Sequence, residues 1–101
     1  MNMQQMLMQA QKMQRDMQKK QKELEAKTFH LESAGGAIVI DIKGTRQIEK
    51  IEIDEDAIDP NDKEMLEDMI RIAVNEAIAL VDAAFEKLNA SMTNGMKIPG
   101  F

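Results

Sequence analysis

The chain has 101 residues, 44% of them hydrophobic, which fits a single domain with one small core. It has no Cys, so disulfides, thiolate metal sites and Cys nucleophiles are excluded; this suits a reducing compartment. The net charge of −5 argues against a nucleic-acid binder when taken alone, and three Phe with no Tyr or Trp leave little for stacking on bases.

Residues 1–27 read as one long helix. They contain no Gly, Pro or β-branched residue and are rich in Met, Gln, Lys, Glu and Leu, whose straight side chains lose little rotamer freedom in a helix. Met3, Met6, Ala10, Met13, Met17 and Leu24 recur at alternating three- and four-residue steps, with Lys20 the only polar entry. The expected role of Met3, Met6, Met13, Met17 and Leu24 is a dimer seam. At about 1.5 Å per residue the helix spans roughly 40 Å. That is more than the width of a compact domain of this size, so it either projects or lies on a second chain. Charge is polarised along the sequence. The first 27 residues carry six bases and three acids, and the remainder seven bases and fifteen acids. Lys12, Arg15, Lys19 and Lys22 fall on the side of the helix away from the seam, where they can face phosphates while the helices are paired.

Composition then changes. Residues 28–53 read as a three-stranded antiparallel meander. In Thr28–Ser33, Phe29 and Leu31 share a face, opposite His30. Gly35-Gly36 predicts a two-residue hairpin turn. Ala37–Lys43 places Ile38, Ile40 and Ile42 on one face. Gly44-Thr45-Arg46 turns the chain into Gln47–Ile53, with Ile51 and Ile53 inward and Ile48 out of phase, which predicts a bulge there. One helical turn is expected within Asp54–Ile58. Asp59-Pro60 reads as N-cap and first residue of a second long helix, 59–92, stopped at Asn94-Gly95. Its apolar stripe runs through Leu66, Met69/Ile70, Ala73, Ala77, Leu80/Val81, Ala84 and Leu88, broad enough to cover the sheet and meet a partner. Residues 93–101 are expected to be a flexible tail. The fold class is therefore α+β, in the order α-β-β-β-α.

No chemistry-bearing constellation points to an enzyme, a metal or a cofactor. Eight carboxylates crowd into Asp54–Asp68, but Ile58, Asp59 and Met65 occupy positions where a calcium loop needs a ligand, a Gly and a Glu. N-capping and solubility account for these acids. His30 is the only His; without Cys it makes no catalytic pair unless a carboxylate assists, and no second element marks a site. Gly35-Gly36 lacks the phosphate-loop pattern. No run of 18 apolar residues exists to cross a membrane, and the amphipathic start does not read as a secretory signal.

The segments MLMQAQKMQRDM (Met6–Met17), AGGAIVIDIKG (Ala34–Gly44), IEKIEID (Ile48–Asp54), DPNDKEMLEDMIRIAVNEAI (Asp59–Ile78) and KIPGF (Lys97–Phe101) together resemble the YbaB/EbfC family of bacterial nucleoid-associated proteins, in family order over nearly the whole chain. The resemblance implies a cytoplasmic, nucleoid-associated homodimer whose long helices project like tweezers. It implies binding of double-stranded DNA with low sequence preference and a possible accessory role in gene regulation or nucleoid organisation. No membrane and no small-molecule substrate are implied. Carried onto this chain, the contact residues are Lys12, Arg15, Lys19 and Lys22, with Arg71 and Lys87 on the last helix. Three phosphates neutralised on each of two arms would give a slope of log K against log salt near −5, an order-of-magnitude figure. The alternative is a protein-interaction or chaperone-like helix-hairpin-helix module without DNA binding, which the net acidity favours.

Overall fold

The computed structural model describes residues 2–95. Helix α1 (Met3–Ala26) leads into strands β1 (Thr28–Ser33), β2 (Ile38–Lys43) and β3 (Ile48–Ile53), and helix α2 (Lys63–Gly95) closes the domain. The strands form one antiparallel sheet in the order β1-β2-β3, so the α-β-β-β-α layout stands. α2 packs on β1 and β2. Beyond the sheet it continues alongside the C-terminal part of α1. The molecule measures 71 × 28 × 16 Å, with a radius of gyration of 20.0 Å. A compact chain of this length would have about 13 Å. The helices extend beyond the body, one of the two arrangements their length allowed.

The alternation of β2 decides where the core lies. Ile38, Ile40 and Ile42 are completely buried against Ala73, Ala77 and Val81 of α2, and Phe29 joins them from β1. Each such Ile contributes about 1.5–3 kcal/mol by leaving water. Ala73 and Ala77, one helical turn apart, let the helix axis approach the sheet closely. The bulge expected at Ile48 is present. Ile42 pairs with Ile48 while Asp41 pairs with Lys50, which leaves Glu49 as the extra residue.

Four expectations need correction. The first hairpin is not a two-residue turn. Ser33 pairs with Ile38, and the connection is a 3-10 turn over Ala34–Gly36. Three successive residues, Ala34, Gly35 and Gly36, have φ of 53°, 67° and 93°, so the glycines serve a longer loop. Ile51 is not inward in this chain: it pairs with fully buried Ile40 yet stays 42% exposed, because β3 is the edge strand beyond the cover of α2. α2 begins at Lys63 rather than at Asp59. Asp62 supplies the cap, accepting the Met65 N–H at 3.2 Å, while Asp59 accepts from Asn61 N–H in the preceding turn. The helix also extends to Gly95, past the expected end near Met92. The rest of the expected tail, residues 96–101, lies outside the described residues. The turn expected within Asp54–Ile58 is a 3-10 turn at Glu55–Ala57.

Candidate nucleic-acid interface

The arm is capped at its start and anchored to the body at its end by the local chemistry of its sequence. Asn2 caps α1, its side-chain oxygen accepting the Gln5 N–H at 2.8 Å. At the other end the Lys27 carbonyl accepts the Gly44 N–H at 3.0 Å, which ties the helix exit to the β2–β3 turn. A Cβ on Gly44 would stand 1.8 Å from the Leu24 carbonyl oxygen, so only glycine allows this approach. Arg46, at the close of the same turn, adopts φ 71°. Its guanidinium pairs with Asp82 (Nε to Oδ1 3.0 Å) and lies 5.6 Å from the Phe85 ring centroid. Two backbone segments and one side-chain clamp thus fix α1, the sheet and α2 relative to one another.

α1 has two chemically opposite sides. Met13, Met17, Gln21 and Leu24 are half-buried, and α1 packs against α2 of the same chain. Leu24 belongs to the shell packed on the core. Met3 and Met6, the outer members of the expected seam, are 81% and 55% exposed. On the other side, Lys12, Arg15, Lys19 and Lys22 are all exposed. At about 100° per residue they fall within a band about 80° wide, centred opposite Met17. Arg15, Lys19 and Lys22 line one shallow surface with Gln18, Glu23 and Ala26.

A second basic group stands where α1 meets α2. Lys20, Lys27 and Lys87 line the groove between the helices, with Leu24, Ala84 and Leu88 contributing apolar surface and Glu23 and Ser91 completing the lining. The Lys27 ammonium sits 4.9 Å from the Phe29 ring centroid, a cation–π contact that orients it. The sequence expectation included Lys87 but not Lys20 or Lys27. The available signal was Lys20 itself, the single polar residue in the apolar stripe. A cation there faces the edge of the neighbouring helix.

Pairing separates arm from body. Among the described residues, Lys12, Arg15, Lys19, Lys20, Lys22, Lys27 and Lys87 form no ion pair with a carboxylate. In the body, Arg46 pairs with Asp82, Lys50 with Glu52 at 2.5 Å, Lys63 with Glu67 at 3.4 Å and Arg71 with Asp68 at 3.5 Å. Glu52 also raises the Lys50 pKa through its hydrogen bond. Arg71 does not join the other expected contact residues. It lies sixteen residues before Lys87, about 24 Å along α2. On the solvent face of the sheet His30 Nδ1 donates to Asp41 at 2.7 Å, and Thr28 donates to Glu49 at 2.7 Å. Among the described residues the bases without an ion pair are therefore concentrated on the arm and in the groove at its base, and Lys43 on the sheet is the one such base in the body. Among the described residues no group of His, Asp or Glu is arranged to hold a metal ion, and no helix is long and apolar enough to cross a membrane.

Residues 1–96 match the model of the YbaB/EbfC DNA-binding family. A nucleoid-associated protein of Alkaliphilus metalliredigens is 43% identical over 98% of this chain and 87% of its own length. One from Pelotomaculum thermopropionicum is 42% identical over 98% and 94%. One from Anaeromyxobacter dehalogenans is 36% identical over 99% and 97%. The fold is shared with the crystal structure of an uncharacterized protein from Helicobacter pylori, with a TM-score of 0.71 and 18% identity over 91% of this chain and 97% of that one.

Proposed function

Because the chain belongs to the YbaB/EbfC DNA-binding family, we propose that it is a nucleoid-associated protein of the bacterial cytoplasm that binds duplex DNA as a homodimer, with low sequence specificity. The family is one of DNA binding, not of enzymes. The observation that carries the reading is the unpaired basic band of Lys12, Arg15, Lys19 and Lys22 on a projecting helix, opposite its half-buried Met stripe. Phosphate contacts of this kind position a protein on DNA without reading bases, and the arm has no aromatic residue to stack on them. The acidic body repels DNA everywhere else, which keeps affinity modest and restricts approach to the arm.

Support for the homodimer is the apolar surface one copy leaves open. Ile48 and Ile51 of the edge strand, Ile58 after it, and Met65, Ile72 and Leu80 of α2 are each more than a third exposed. With Met3 and Met6 of the arm they give a second copy apolar area to bury. The exposed arm tip of Met3, Met6, Leu7 and Met8 is what favours the alternative, a module that holds another protein.

Binding of a random duplex, followed by fluorescence anisotropy from low to physiological salt, tests the reading. Affinity should fall steeply with salt, and replacing Lys12, Arg15, Lys19 and Lys22 with Ala should weaken binding on all sequences alike and flatten the slope. No binding at low salt would end the DNA reading and leave the protein-interaction module. Sedimentation of an 11.4 kDa particle at micromolar concentration would end the homodimer.

A further inference from the structure

We infer that the DNA-contacting surface does not stop at the outer face of α1 but turns into the groove between α1 and α2, where Lys20, Lys27 and Lys87 take a second stretch of phosphate backbone. The inference rests on the reading that the arm binds duplex DNA, and adds a site to it.

The groove has the chemistry for phosphodiester oxygens. Three ammonium groups line it, from α1, the residue that caps it and α2, and among the described residues none is tied up by a carboxylate in an ion pair. Lys27 is held in place from two directions, by the bond from Gly44 N–H to its carbonyl and by the Phe29 ring under its ammonium. Leu24, Ala84 and Leu88 add apolar surface, and the acceptor side chains of the lining are Glu23 and Ser91. On α1, Lys20 sits about 100–160° around the helix from Arg15, Lys19 and Lys22, and Lys27 is the residue that caps the helix end. A backbone following the outer band can therefore pass round the helix flank to reach them.

One acid stands between the two surfaces. Glu23 lines both the outer face and the groove, and among the described residues no ion pair neutralises it. Its charge repels phosphate at the passage from one basic group to the other. Glu23 therefore sets an upper limit on affinity, and loss of its charge should tighten binding.

The test uses the full chain and a fluorescent random-sequence duplex, with anisotropy titrations across a salt series. The variants are K20Q/K27Q/K87Q for the groove, E23Q alone, K12Q/R15Q/K19Q/K22Q for the outer band, and K43Q/K50Q/K63Q as a control of equal charge change in the body. Removing one cation that neutralises a phosphate should weaken binding about eight-fold at 0.1 M salt and flatten the log–log slope by about 0.9. The groove variant is expected to lose affinity and slope on this scale, E23Q to bind several-fold more tightly, and the body control to match the wild type. E23Q changes an exposed helical position and reports on the site even if the triple variant folds poorly. Wild-type affinity in both the groove variant and E23Q, with the outer-band variant weakened, overturns the inference and leaves the arm reading intact. Equal losses in the groove and body variants also overturn it, since net charge would then explain both. If the wild type fails to bind at low salt, the arm reading itself falls, and the inference falls with it.

Discussion

Gly44→Ala should destabilise this protein, and the sign of the effect is the informative part. Gly44 does not have a left-handed φ, unlike Gly35 and Gly36. Its backbone conformation is open to alanine. On conformational grounds alone the substitution would stabilise by about 0.4–1 kcal/mol, by restricting the unfolded chain. The contact predicts the reverse. The new Cβ would lie 1.8 Å from the Leu24 carbonyl oxygen, 2.5 Å from its carbon and 2.8 Å from the Glu25 Cα. Real Cβ contacts do not fall below 3.0 Å, so relief takes at least 1.2 Å of movement between two backbones, one a helix end. Moving them apart also stretches the 3.0 Å bond from Gly44 N–H to Lys27. Overpacking of this kind costs about 1–3 kcal/mol. For a domain of this size a 2 kcal/mol loss lowers Tm by about 8–16 °C. Thermal unfolding by circular dichroism reads it. The same shift should loosen Lys27 and the arm, and so speed amide exchange in the last turn of α1. A variant as stable as the wild type, or more so, would refute the claim that this contact fixes the arm.

The cap assignment separates two neighbouring acids. Asp62→Ala should cost about 1 kcal/mol in chemical denaturation, because its carboxylate caps the Met65 N–H. Asp59→Ala should cost less, since Asp59 serves only the turn before the helix; a larger loss at Asp59 would return the helix start to the Asp-Pro pair. His30 should titrate above its ordinary 6.5, chiefly because its side chain hydrogen-bonds Asp41, with Glu32 adding to the effect at 3.7 Å. The folded pKa is raised, so the stabilisation is fully present below pH 6.5 and is lost as pH rises through the folded value. An imidazole NMR titration with an inflection at or below 6.5 would contradict this, and in Asp41→Asn the inflection should move down.

The sheet face and the basic arm explain each other. On the sheet's exposed side, opposite charges sit on adjacent strands or two residues apart, where geometry pairs them: His30 with Asp41 and Lys50 with Glu52. On α1 the bases Lys12, Arg15, Lys19 and Lys22 cluster opposite the apolar stripe, and Asp16, Glu23 and Glu25 form no ion pair with them. One surface pairs most of its charges internally, and the other keeps an outward field.

The sequence alone determined what depends on periodicity. Met13, Met17 and Leu24 on one side of α1, with Lys12, Arg15, Lys19 and Lys22 on the other, follow from a 3.6-residue repeat. Ile38, Ile40 and Ile42 on the buried face of β2 follow from a two-residue repeat, and the broken alternation at Ile48 marked the bulge. Each of these is a local property, legible because a residue's direction is set by its own element. What only the tertiary structure decided depends on which elements lie side by side. α2 covers β1 and β2 but leaves Ile51 at an open edge, so a residue in the right phase stays exposed. Lys20 and Lys27 join Lys87 because α1 and α2 run alongside each other beyond the sheet, although the two helices are far apart in sequence. Arg71 shares a helix with Lys87 yet sits far from it along the axis, beside Asp68. Gly44 resembles an ordinary turn glycine until Leu24 is placed against it. Spacing along a chain fixes the side from which a residue points; the packing of helix on sheet fixes what it meets there.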